Sequence, residues 1–191
     1  MQVNPLRIPG AYTIHPRQHH DQRGVFFEWF TQHTFTRTLG YHFDIQQANC
    51  SVSAAGTLRG LHFAQYPPGQ AKYVTCLSGS IFDVVVDIRQ GSPTFGQWDS
   101  VILTAQKHNS VFLPADVAHG FFALEDNSTV MYLCSSSYNP QREHTICPTD
   151  PDLGITWPRQ PAWILSDRDA TAPLLAHIGA QGLLPYFHHE R

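Results

Sequence analysis

Charge is what this 191-residue chain has least of. Only 14% of its residues are Asp, Glu, Lys or Arg, against about a quarter in ordinary soluble domains. With 42% of the residues hydrophobic, the composition excludes the polar, highly charged signature of disorder and predicts a folded core. An excess of positive charge is missing too. Twelve Lys and Arg stand against 15 Asp and Glu, a formal net charge of -3, so a general attraction to nucleic acid or to anionic membranes is excluded and any anion has to be held locally. Apolar runs are short. The longest lies within Ile81 to Ile88, far below the roughly 20 residues that cross a bilayer. Met1 to Ala11 has neither a basic start nor an apolar segment of signal-peptide length, which predicts a cytoplasmic protein with reduced thiols. Cys50, Cys76, Cys134 and Cys147 form no C-x-x-C pair and read as buried free cysteines. Repeats, low-complexity tracts and linkers are absent, so one domain over residues 1–191 is expected.

Punctuation is plentiful. The 14 prolines and 13 glycines separate short runs rich in Val, Ile, Phe, Tyr and Thr, a pattern of many short antiparallel strands. Eight are predicted: Val25 to Phe30, Asp44 to Ser53, Lys72 to Leu77, Ser80 to Ile88, Trp98 to Leu103, Ser110 to Leu113, His119 to Leu124 and Thr129 to Ser136. Helical signal is confined to Thr34 to Leu39 and to a segment from Ala170 to Ile178 that Asp169 would cap. The expected fold is all-β, a jelly-roll sandwich or barrel around a small-ligand cavity, with a few short peripheral helices.

Polar residues recur where a core should be. In Asp44 to Ser53 the period of two places Gln47, Asn49 and Ser51 on one face and the apolar Ala48, Cys50 and Val52 on the other. Arg59, His62 and Lys72 follow among apolar neighbours rather than in a charged run, and cations in such surroundings require polar or anionic partners. Arg59 and His62 are an odd number of residues apart, so a regular strand would separate them; Gly60 permits a bulge that reunites them. Asp83 in the most hydrophobic strand requires a cation, and Phe26 and Glu28 share a face behind the turn Asp21-Gln22-Arg23-Gly24. His119 and Tyr132 are likewise isolated in apolar sequence. Each alone reads as a satisfied core residue; together they describe a polar cavity.

Leu58-Arg59-Gly60-Leu61-His62 followed by Gln70-Ala71-Lys72 resembles the dTDP-4-dehydrorhamnose 3,5-epimerase family of the cupin superfamily. The resemblance runs from Asp21-Gln22-Arg23-Gly24-Val25-Phe26-Phe27-Glu28 through Gln47-Ala48-Asn49-Cys50-Ser51, Asp83 to Arg89, Ser92-Pro93-Thr94-Phe95-Gly96, Ala118-His119-Gly120-Phe121 and Tyr138-Asn139-Pro140, to Leu165-Ser166-Asp167-Arg168-Asp169. One departure is Asp116, where many members carry Gly.

The resemblance implies a homodimer acting on a dTDP-linked 4-keto-6-deoxyhexose without metal or organic cofactor. It implies His62 as the base, Asp169 as the carboxylate that orients it, with Asp167 as the neighbouring alternative, and Tyr132 as the acid on the opposite face of the sugar. Lys72 would face the developing C4 oxyanion, with Asp83 holding its ammonium. Arg23 and Arg59 match diphosphate ligands, and Phe26, Glu28, Gln47, Asn49, His119 and Tyr138 match positions holding nucleotide and sugar. Three rivals remain: a C3-only epimerase or keto-isomerase on a related nucleotide sugar, a sugar-binding jelly roll without turnover, and a metal cupin. The last requires His-x-His, whereas His62 is followed by Phe63-Ala64, and the pairs His19-His20 and His188-His189 read as exposed.

Overall fold

The computed structural model describes residues 1–159 and 162–188. Its strands are β1 (Gln2–Pro5), β2 (Tyr12–His15), β3 (Gln18–Asp21), β4 (Gly24–Phe27), β5 (Gln47–Ser53), β6 (Leu58–Ala64), β7 (Lys72–Ser78), β8 (Ser80–Val86), β9 (Trp98–Thr104), β10 (Ser110–Leu113), β11 (Ala118–Ala123), β12 (Ser128–Cys134) and β13 (Glu143–Thr145). Three helices join them: α1 (Gln32–Leu39), α2 (Asp167–Ala170) and α3 (Leu175–Ala180). One sheet has the order β1-β2-β10-β7-β12-β5, a second β13-β6-β11-β8-β9, and β3 and β4 form a separate hairpin. Pairing within the sheets is antiparallel, and the two large sheets face each other as a jelly roll.

Three apolar clusters hold this arrangement. Val74, Cys76, Val111 and Val130 of the first sheet meet Ile81, Val85, Leu103 and Phe121 of the second between the sheets. The outer face of the second sheet, including Leu61, Phe63, Val84 and Phe122, is covered by Leu153, Trp157, Leu175 and Ile178 of the C-terminal segment. The outer face of the first, with Tyr73 and Phe112, is covered by Phe35 of α1 and by Phe43. β8 is largely apolar on both faces because both are covered, which is why Ile81 to Ile88 is hydrophobic apart from Asp83 and Asp87.

Seven predicted strands match β5 and β7 to β12 to within three residues at each end. The eighth, Val25 to Phe30, ends at Phe27, because Trp29 and Phe30 turn back into the aromatic cluster, where the Trp29 indole donates to Ser110 Oγ at 3.0 Å. The strands β1, β2, β3, β6 and β13 were not expected: four are only three or four residues long, and β6 breaks its own alternation at Gly60. The single helix expected from Ala170 to Ile178 is two helices, since Pro173 can neither donate its missing N–H nor fit inside a helix. Nor does Asp169 cap it. Ser166 is the N-cap, accepting from the Asp169 N–H, and Asp169 lies inside α2.

All four cysteines are free, and Cys76 and Cys134 are buried as expected; Cys50 is instead exposed on the outer face of β5, and Cys147 is half-buried. His19, His20 and His188 are exposed, and His189 lies outside the described residues. Asp116 is buried 3.7 Å from the Arg89 guanidinium, itself bonded to Asp87.

Candidate active site

β5 forms the edge of the first sheet with its polarity reversed. Gln47, Asn49 and Ser51 face inward, whereas Ala48, Cys50 and Val52 face out, Val52 being 60% exposed. On the facing sheet, β6 carries the bulge. His62 pairs with His119, but Phe121 pairs with Arg59, so Gly60 and Leu61 together oppose Gly120. Gly60 has φ +121°, and a Cβ there would lie 2.6 Å from Gly120 Cα and 2.8 Å from His119 O. Glycine is therefore required, and the extra residue turns Arg59 and His62 toward one cleft. That cleft, of about 360 Å³, is lined among others by Ser53, Arg59, His62, Ser166, Arg168 and Asp169.

His62 Nε2 lies 2.6 Å from Asp169 Oδ1. The histidine side chain is 35% exposed and the aspartate 4%. Burial pushes the Asp169 carboxyl up, but the hydrogen bond and charge of His62, the Gly60 N–H and Ser166 together hold it below the usual carboxylate range. An ionised carboxylate at this distance fixes the imidazole: with Nε2–H donated to Asp169, Nδ1 carries the free lone pair. Asp167, the alternative partner, is exposed and has no bond to His62.

A second pair stands beside the first. His119 Nε2 is 2.8 Å from Asp83 Oδ2, and here both members are buried. Asp83 was expected to hold the Lys72 ammonium; instead its hydrogen bond goes to His119, which the register places one strand away. Lys72 forms no hydrogen bond or ion pair among the described residues. Burial lowers its pKa, against the opposing fields of Cys134, Glu143 and Asp83. Tyr132 projects inward from β12, with Asn49 and Val74 as its cross-strand neighbours. Burial, together with Cys134 and Glu143, raises its pKa over the opposing influence of Asn49 and Arg59, so the phenol stays protonated at neutral pH. Burial likewise pushes the Cys134 thiol up to about 11.

The Arg59 guanidinium donates to Ser53 Oγ at 3.1 Å and to Val52 O at 3.4 Å, and among the described residues it pairs with no carboxylate. It is held by neutral acceptors with its charge uncompensated, an arrangement suited to an anion. Gln47 bonds Asn49 Oδ1 at 2.8 Å and accepts from the Tyr138 N–H at 2.8 Å, which places Tyr138, 57% exposed, at the rim. Three expected ligands are not brought to the cleft within one copy of the chain. Arg23 is exposed and bonded to Asp21 at the tip of the β3–β4 hairpin, Phe26 on β4 is 67% exposed, and Glu28 lines a separate pocket with Arg17, His19 and Arg37. A hairpin paired only with itself has no neighbouring strand to direct it into the cleft.

The structure adds residues the sequence reading passed over. Glu143 shares the face of His62, because Thr145 pairs with His62 and Glu143 lies two residues on; its field reaches both Lys72 and Tyr132. Arg168 lines the cleft and bonds Thr145 Oγ1 and Glu143 O. Ser53 continues the alternation of β5 and was legible there, whereas Glu143 sits in a polar run with no distinguishing pattern. Among the described residues no group of three or more His, Cys, Asp and Glu is arranged to hold a metal ion.

Residues 5–177 match the family described as dTDP-4-dehydrorhamnose 3,5-epimerase. A Mycobacterium tuberculosis protein of that name is 61% identical over 97% of this chain and 93% of its own. An epimerase structure from Mycobacterium tuberculosis superposes with a TM-score of 0.96 at 60% identity, covering 98% of this chain and 94% of that one. A 3'-monoepimerase from Streptomyces bikiniensis, solved in complex with dTDP-quinovose, gives a TM-score of 0.92 at 48% identity, covering 95% and 92%.

Proposed function

The chain belongs to the dTDP-4-dehydrorhamnose 3,5-epimerase family, and from that premise we propose how its residues invert C3 and C5 of a dTDP-4-keto-6-deoxyhexose. Protons at both carbons are acidified by the C4 ketone, so one base and one stabilised enolate serve two inversions. His62 Nδ1 removes the proton, and Asp169 stabilises the imidazolium that forms. Lys72, half-buried and without a competing ion pair among the described residues, faces the oxyanion. Tyr132, on the opposite sheet from His62, returns a proton to the other face of the ring. Arg59 takes the diphosphate, and Gln47, Asn49, His119 and Tyr138 line the path of the sugar and nucleotide.

The observation that carries the reading is the His62–Asp169 pair at 2.6 Å on the cleft, facing the sheet that carries Lys72 and Tyr132. Binding alone requires no base and acid on opposite sheets. Incubation with the 4-keto-6-deoxy nucleotide sugar in deuterated water, followed by NMR, should label both C3 and C5; absence of label at both carbons removes the base assignment. Label and inversion at C3 alone would match the activity named for the Streptomyces bikiniensis relative.

The whole of residues 1–191 then forms one catalytic domain, working in the cytoplasm, where its four cysteines stay as free thiols. A homodimer follows from the same reading. Arg23, Phe26 and Glu28 cannot serve their own cleft, and β5 presents an unpaired edge and an exposed apolar face to a second copy. Light scattering of the purified protein should give twice the 21.5 kDa chain mass. A monomer with full activity would overturn this part.

A further inference from the structure

Among the described residues, three buried polar side-chain atoms have no hydrogen-bond partner: Ser51 Oγ, Asp116 Oδ1 and His144 Nε2. Such groups are uncommon, and each calls for a reason. Asp116 has one in the Arg89 guanidinium 3.7 Å away. His144 packs against Phe63, the two rings tilted with centroids 5.1 Å apart. Phe63 belongs to the outer cluster, away from the cleft. Ser51 differs from both because it lies on the inner face.

The register fixes its position. Ser51 pairs with Val130, which packs between the sheets against Val85 and Phe121. Along β5 it stands between Asn49, the cross-strand neighbour of Tyr132, and Ser53, whose hydroxyl holds Arg59. The Arg59 charge acts on the Tyr132 phenol, and the register sets this hydroxyl between the acid and the guanidinium assigned to the diphosphate. Gln47, at the other end of the strand, is tied to rim residue Tyr138. Ser51 is thus on the inner side of the row, away from the rim.

We infer that Ser51 is a substrate-positioning residue whose hydroxyl hydrogen-bonds a hydroxyl of the hexose ring, rather than any part of the nucleotide. The inference rests on the proposed function. A hydroxyl buried without a partner costs free energy in the empty protein, and a polyhydroxy ligand supplies the missing acceptor or donor on binding. The hexose of a 4-keto-6-deoxy nucleotide sugar carries hydroxyls at C2 and C3, and a fixed contact to one of them would hold C3 and C5 in line with His62.

Replacing Ser51 by Ala separates this role from a structural one. The empty variant should melt at the parental temperature or slightly above, since no bond within the fold is lost. Affinity for an unreactive dTDP-6-deoxyhexose should fall about 10-fold, while affinity for dTDP itself stays unchanged. With the reactive 4-keto substrate, KM should rise by a similar factor, more than kcat falls. A marked drop in melting temperature would make the hydroxyl a structural group. An equal loss toward dTDP would assign it to the nucleotide, and unchanged affinities for both ligands would leave it no role; each result overturns the inference. The parental protein assayed in parallel keeps the two claims apart. If it fails to turn over the keto sugar, the proposed function falls, whereas the affinity comparison with the unreactive ligand still decides for or against Ser51.

Discussion

His62–Asp169 and His119–Asp83 are neighbouring histidine–aspartate pairs whose histidines are cross-strand partners in the register of β6 and β11. Their hydrogen bonds differ little, 2.6 and 2.8 Å. What separates them is surroundings. Asp169 comes from α2, 107 residues along the chain, and leaves its histidine one-third exposed in the cleft. Asp83 comes from β8, directly beside His119, and shuts its histidine to 11% side-chain exposure. A base has to reach a substrate proton, so the open pair is fitted for proton transfer and the closed one for holding a charge or a ligand in place.

The comparison breaks most sharply at the histidines. His62→Ala should reduce deuterium wash-in at C3 and C5 by about 10³-fold or more, whereas His119→Ala should mainly weaken substrate binding. Equal loss of wash-in in both variants would erase the distinction. Tyr132→Phe tests the other face: wash-in should persist while inverted product, trapped by a downstream reductase, falls at least 10-fold. Inversion at the parental rate would return Tyr132 to a core role.

The aspartates come next. Asp169→Asn should lower kcat by about 10²-fold or more, since the amide cannot stabilise an imidazolium, and Asp83→Asn should cost less in kcat than in affinity. In stability the order reverses. His119→Ala removes the hydrogen-bond partner of Asp83 at 1% exposure, a loss that typically costs about 1–3 kcal/mol, and its melting temperature should fall further than that of His62→Ala.

The smallest effects are in pH. Because the folded-state pKa of Asp169 lies below its unfolded value, the pair's stabilisation is complete above about pH 4 and is lost as pH falls through the lower folded value. Denaturant titrations should therefore show a shallower acid-side loss in Asp169→Asn. At the alkaline end, Lys72 loses its charge below the ordinary lysine range while Tyr132 stays protonated above the ordinary tyrosine range, so a basic limb set by Lys72 is expected in the kcat/KM profile. Lys72→Arg, which stays charged, should move that limb upward; an unmoved limb would assign it elsewhere.

Local pattern was enough to predict most of the barrel. Alternation and turn residues located β5 and β7 to β12, because a strand between two covered faces or one wet face writes its period directly into the sequence. It also set Gln47, Asn49 and Ser51 on one face and flagged Gly60 as the residue that could bring Arg59 and His62 together, since glycine alone tolerates that backbone beside Gly120. The inward turn of the polar face of β5 is a different matter. Alternation separates two faces without saying which is covered, and only the opposing sheet decides it.

Partnership was decided in three dimensions as well. Asp83 went to His119 rather than Lys72, Asp169 rather than Asp167 reached His62, and Glu143 joined the cavity from a run that reads as surface. Such pairings depend on which strands become neighbours, and a carboxylate chooses its cation by distance in the folded chain, which sequence separation does not encode. Arg23, Phe26 and Glu28 mark the same boundary: their residue types fit a nucleotide site, but a hairpin paired with neither large sheet leaves their destination to the assembly.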